Sequence, residues 1–181
     1  MSNVNEYTGN YTIDASHSEI GFVARHAMVT KVRGAFTDFE GTATTGENLD
    51  GAKIDVKIDV ASVDTRNKDR DGHLTSGDFF EVDKYPNITF TSTDIAANGE
   101  SGLKVTGDLT IKDVTKSVTI DFDFTGEAQD PWGQTRVGFE GSTSINRRDF
   151  GLEWNTALDG GGVLVSEKIT LNFDISAIKE S

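Results

Sequence analysis

AKIDVKIDVAS, residues 52–62, alternates charged and apolar side chains from Lys53 to Val60. Ile54, Val56, Ile58 and Val60 fall on one side of an extended chain, and Lys53, Asp55, Lys57 and Asp59 on the other. Successive side chains of a strand point to opposite faces, so this alternation predicts a strand with one dry and one wet face. LKVTGDLTI (103–111) repeats it, with Leu103, Val105, Leu109 and Ile111 opposed by Lys104, Thr106, Asp108 and Thr110. SVTIDFDFT (117–125) does so through Val118, Ile120, Phe122 and Phe124.

Further strands are expected in EIGFVARH (19–26), VRGAFTDFEG (32–41), NITFTSTDI (87–95), TRVGFEGSTSI (135–145) and KITLNFDIS (168–176). The total is roughly eight, rich in Val, Ile, Phe and Thr. One-faced antiparallel strands bury their apolar sides either in a two-sheet sandwich or in a closed barrel. Gly21, Gly34, Gly107, Gly138 and Gly141 interrupt strand patterns, pointing to bends or close backbone approach, and tilt the choice toward the barrel. Only NKDRDGHLTSGDFFEVDKYP (67–86) is long and non-alternating, and it is expected to form a short helical cap.

The chain of 181 residues suits one domain, and no repeat or proline-rich linker divides it. The domain is expected over residues 11–178, between a flexible tail at 1–10 and a short one at 179–181. Without cysteine, neither a disulfide nor a thiolate is available. The polar start MSNVNEYTGNYTID has no signal-peptide pattern, and no apolar run is long enough for an integral membrane segment, so a cytoplasmic location is expected. A formal net charge of -13 opposes contact with nucleic acid, whose binding depends on Lys and Arg displacing counterions.

The catalytic inventory is thin. Ser16, His17 and Ser18 are neighbours in sequence, with no nucleophile-turn motif around them. Asp121 and Asp123 fall on the wet phase of their strand, a surface position for a carboxylate pair that a glycosidase would need in a cleft. Asn67 to Asp78 approximates a calcium loop, but Asn67 stands where the pattern has Asp and Asp78 where it has Glu. The alternative reading is a polar turn in which Asn67 or Asp71 caps a short helix. Trp154, near Arg147, Arg148, Asp149 and Phe150, is expected to anchor a strand end. No metal site, cofactor site or catalytic residue is therefore assigned. A hydrolase and a filled barrel with a structural or calcium-binding role stand as the rival classes.

Seven phenylalanines, Phe22, Phe36, Phe90, Phe122, Phe124, Phe139 and Phe173, lie on the apolar phase. A barrel of about eight strands either fills its lumen with such side chains or keeps room for one small ligand. Here a resemblance enters. YTIDASHSEIGFVARH, VRGAFTDFEG, IDVASVDT, RDGHLTSGDFFEVDKYPNITFTST, GDLTIKDVTKSV and INRRDFGL, in that order from Tyr11 to Ile178, resemble the YceI-like family. The resemblance implies an all-β fold, a single antiparallel eight-stranded lipocalin-like barrel. It also implies a hydrophobic lumen for a polyisoprenoid or similar long-chain amphiphile, without covalent chemistry. Phase and resemblance together make Ile20, Phe22, Ala24, Phe36, Ile58, Phe90, Leu109, Phe122 and Phe139 the expected lumen lining, with His26 near the polar end of the ligand. The expected partner is a small-molecule lipid, and a homodimer is compatible with the sequence.

Overall fold

The alternation of residues 53–59 becomes one strand of a wall whose dry faces all turn the same way. The structure, a computed structural model, describes residues 8–27, 29–155 and 165–180. Its strands are β1 (Gly9–Ile13), β2 (Glu19–His26), β3 (Thr30–Phe36), β4 (Phe39–Thr45), β5 (Lys53–Asp59) and β6 (Val63–Asp64). The helix α1 (Lys68–Thr75) follows, then β7 (Asn87–Asn98), β8 (Gly102–Ile111), β9 (Val114–Gln129), β10 (Thr135–Asn146) and β11 (Lys168–Lys179). The expected tail at residues 1–10 lies outside the described residues as far as residue 7, and Ser181 lies outside them too.

Three long strands are each broken once. β1 passes into β2 through a tight turn at Ala15–His17, where the Asp14 side chain accepts from the Ser16 N–H. β3 passes into β4 at residues 37–38, and β5 into β6 through Val60–Ser62, where Asp59 accepts from the Ala61 N–H. Val60 therefore leaves the strand that its alternation predicted, yet it stays buried at 1% exposure. Counting each broken strand as one, eight strands run up and down around a closed antiparallel barrel, as expected. The seam joins the ends of the chain: Tyr11 pairs with Lys179 and Ile13 with Ala177. β2 continues along the same edge of β11, Phe22 opposite Leu171. Full closure removes the exposed edges that an open sheet would present to other chains.

The barrel has two unlike ends. The helix end carries α1, the two-residue turn Lys112–Asp113 and the segments flanking β10 and β11. Asn67 caps α1 by accepting from the Arg70 N–H at 3.0 Å, the role offered for it by sequence. Asp71 instead accepts from the backbone and hydroxyl of buried Thr65, and Arg70 donates to Thr65 as well, which ties the helix to β6. The turn end carries the connections at 46–52, 99–101 and 130–134.

Charged residues such as Lys53, Lys57, Lys104, Asp108, Asp121, Asp123 and Glu140 are exposed on the outer face. Lipid-facing barrels show the inverse arrangement, apolar outside and polar within. Among the described residues no helix is long and apolar enough to cross a membrane.

Candidate binding site

The inward phases of the strands enclose a cavity of about 300 Å³. Its wall runs from Thr45, Leu49 and Ala52 at the turn end to Leu74, Phe80 and Leu152 at the helix end. Ile169 and Ala177 of β11 both line it. Eight residues of strand span about 27 Å, and the usual barrel tilt reduces this to about 20 Å along the axis. A volume at the lower edge of the range for small-molecule pockets, drawn out over that length, makes a narrow tunnel.

The lining is almost wholly hydrocarbon. Ile20, Phe22, Ala24, Phe36, Ile58, Phe90, Leu109, Phe122 and Phe139 all border the cavity, as phase and resemblance placed them. Ile58, Leu109 and Phe36 are buried, whereas Phe22, Phe90, Phe122 and Phe139 keep part of their surface accessible. His26 sits exposed at the far end of β2, outside the cavity lining. Alternation fixes the side to which a residue points, not its depth along the barrel. At His26 the strand has reached the turn that leads to Thr30.

The expected lining left out the inward residues of β11, Leu171, Phe173 and Ile175, although KITLNFDIS alternates plainly and Phe173 falls on its apolar phase. It also missed Leu74 and Phe80, which α1 and the following turn lower over the helix end. Phe80 packs edge-on against Phe36, with ring centroids 6.1 Å apart.

Arg147 was foreseen as part of an anchor but not as a lining residue. It is 3% exposed, and its guanidinium donates to the backbone carbonyls of Leu152, Val165 and Ser166. Burial pulls its pKa below the ordinary guanidinium value, against the charge of Glu167. Among the described residues no carboxylate lies within ion-pair range of it, since Glu167 pairs with Arg148 at 3.2 Å. Three carbonyls fan around one rigid fork, so Arg147 clasps the chain on both sides of the 156–164 stretch. Trp154 meets different partners from those expected, His73 edge-on at 4.5 Å between ring centroids and Phe79 in a tilted contact at 5.4 Å.

The groups weighed for catalysis lie elsewhere. Ser16 Oγ and Asp14 Oδ2 both meet the same His17 nitrogen, Nδ1, at 3.1 and 2.8 Å. A relay needs the nucleophile on one ring nitrogen and the carboxylate on the other. Hydrogen bonds from Ser16 and from Arg136, with His17 beside them, hold the Asp14 carboxyl well below the usual carboxylate range. Asp121 and Asp123 stand exposed on the outer face of β9. In the segment weighed for calcium, Asn67 and Asp71 bond to backbone and hydroxyl donors, and Asp78 meets His73 Nε2 at 2.9 Å.

Comparisons with known proteins agree with this architecture. A UPF0312 protein of Pseudomonas aeruginosa is 40% identical over 174 residues, covering 94% of this chain and 87% of that protein. The crystal structure of Burkholderia cenocepacia BcnA superposes with a TM-score of 0.79 at 25% identity, covering 91% of this chain and 98% of the other. A polyisoprenoid binding domain of Saccharophagus degradans has a TM-score of 0.72 over 93% of this chain and 98% of its own, and at 19% identity that likeness speaks to the fold. The sequence model of the YceI-like domain matches residues 11–177. The chain therefore belongs to the YceI-like family.

Proposed function

We propose that this protein binds, without catalysing a reaction on it, a polyisoprenoid or other long-chain amphiphilic lipid whose hydrocarbon tail lies in the barrel lumen. The observation that carries this reading is the narrow apolar tunnel running from Leu49 to Leu152. A chain ligand matches it better than a fused ring system, because the volume is long and thin. The domain of Saccharophagus degradans that shares the fold is described as polyisoprenoid binding, which supports the same ligand class.

Removing a methylene-sized group from water contributes about 0.8 kcal/mol. A membrane shelters the same chain, so the net preference for the barrel arises from shape rather than from total buried area. Binding is then reversible, as transfer to and from a bilayer requires. Arg147, the one charged residue on the lining among the described residues, already has its guanidinium on three backbone carbonyls. The polar head accordingly sits at a mouth of the tunnel rather than deep within it.

Native mass spectrometry of the protein as purified, followed by solvent extraction, tests this reading. A co-purifying prenyl or acyl species at one per chain is the expected result. A bare protein that also fails to take up added farnesol or long n-alkanols would overturn it.

A further inference from the structure

Glycine inside a strand costs stability relative to alanine, and it needs a reason. Gly34 of β3, Gly107 of β8 and Gly141 of β10 all lie on the inward phase of their strands, and none has a φ in the left-handed region. Backbone conformation therefore does not require them. Space does. A Cβ at Gly34 would stand 2.3 Å from Phe22 Cζ and 2.8 and 2.9 Å from its Cε atoms. A Cβ at Gly107 would stand 2.5 Å from Phe90 Cζ, and one at Gly141 2.7 Å from Phe122 Cδ1.

Each ring thus reaches sideways across the neighbouring strand. Phe22 is the direct cross-strand partner of Gly34, and Phe122 of Gly141. Phe90 pairs with Leu109 and lies diagonally over Gly107, two residues along. All three phenylalanines line the cavity and keep accessible surface. In a barrel of this strand number, large inward side chains ordinarily fill the interior. Here the missing Cβ lets three of the largest lie along the wall.

We propose that these three phenylalanine–glycine couples set the bore of the lumen and so determine which chains it admits. The inference rests on the lipid-binding reading above and adds the residues that decide its selectivity. Glycine opposite an aromatic ring also stabilises a sheet pair, so the test must read ligand choice and not stability alone. The Phe22–Gly34 couple is the cleanest place for it. The closest neighbours of a Cβ at Gly34 are ring atoms, whereas at Gly107 and Gly141 backbone oxygens of Thr91 and Asp121 stand at 2.6 and 2.9 Å.

The experiment compares wild type, Gly34→Ala, Phe22→Leu and the double variant for uptake of n-alkanols of increasing length and of geraniol, farnesol and geranylgeraniol, read by native mass spectrometry. In Gly34→Ala the ring must leave the wall and cross the tunnel. The longest chains are then expected to bind about tenfold more weakly or worse, while the shortest are unaffected. Phe22→Leu widens the bore and is expected to raise uptake of methyl-branched chains over straight ones. In the double variant the new Cβ meets no ring, and long-chain binding is expected to return, a coupling that a general loss of stability does not produce. A folded Gly34→Ala protein with the wild-type chain profile would overturn the proposal. Should Gly34→Ala not fold, an unchanged profile in Phe22→Leu does the same. Failure of the wild type to take up any of these alcohols would instead remove the lipid-binding reading, and this assignment with it.

Discussion

The two ends of the barrel are held by different physics. At the helix end, Phe79, Phe150 and Leu152 are almost fully buried, and the Arg147 clasp is sealed among them. At the turn end a smaller cluster, Tyr11 with Val137 and Ala177, closes the inside. Outside it, Arg136 bridges the β1–β2 kink to the β9–β10 turn, reaching Asp14 at 2.6 Å and Asp130 at 3.0 Å. The helix end is held chiefly by packing and desolvated hydrogen bonds, with the exposed His73–Asp78 and Arg148–Glu167 pairs beside them. The turn end depends partly on the Arg136 ion pairs with Asp14 and Asp130, which salt screens and which acid weakens only below about pH 4. The Arg136 bridge thus adds to the turn end a contribution that salt and acid below about pH 4 can remove.

Four substitutions probe the two ends. Phe150→Ala, at the helix end, is expected to cost the most, about 3–5 kcal/mol, since it empties a fully buried ring site. In a chain of this length each kcal/mol lowers the melting temperature by about 2–4 °C, so calorimetry reads the effect directly. Arg147→Met keeps the stem but strands three carbonyls, with an expected cost of about 3 kcal/mol that does not change between neutral and mildly acidic buffer. A cost below about 0.5 kcal/mol would show that the clasp is dispensable.

Asp14→Asn probes the turn end. The folded-state pKa of Asp14 lies below its unfolded value of about 3.9. Its ionised contacts therefore stabilise the fold fully above that pH, and the contribution is lost as pH falls toward the folded value. Solvent screening keeps the expected cost to about 1–2 kcal/mol near neutrality. The gap between wild-type and variant melting temperatures should narrow as the buffer is taken below about pH 4. A gap independent of pH would contradict the electrostatic account. The smallest effect is expected at Trp132→Ala, within about 0.5 kcal/mol, because the ring is 80% exposed at the tip of the 130–134 turn.

Much of this was legible in the sequence because strand alternation is a local property. The inward phases of β5, β7, β8 and β9 could be read directly, and with them most of the lining. β1 escaped notice, since only Tyr11 and Ile13 carry its inward phase across five residues. The kinks at Ala15–His17 and Val60–Ser62 escaped too, because Val60 continues the apolar pattern after the strand has stopped. The interrupting glycines were read as close approaches. That Gly34 and Gly141 each accommodate a phenylalanine depends on cross-strand register, which sequence does not state. The carbonyl clasp of Arg147 could not be read from sequence for a related reason: the carbonyls it binds belong to residues whose position is set by the barrel as a whole.

The seam between β1 and β11 has a consequence for how the molecule is made. Tyr11 and Lys179 are partners across nearly the full length of chain described, and the Glu180 N–H donates to the Asn10 carbonyl at 2.7 Å. During synthesis the strands from β1 to β10 emerge in an order that lets each find its neighbour at once. The last edge stays open until β11 leaves the ribosome. Through that interval the apolar lumen is a trough exposed along one side, the form in which the nascent chain is most prone to aggregation and in which its interior is most accessible to a hydrophobic chain.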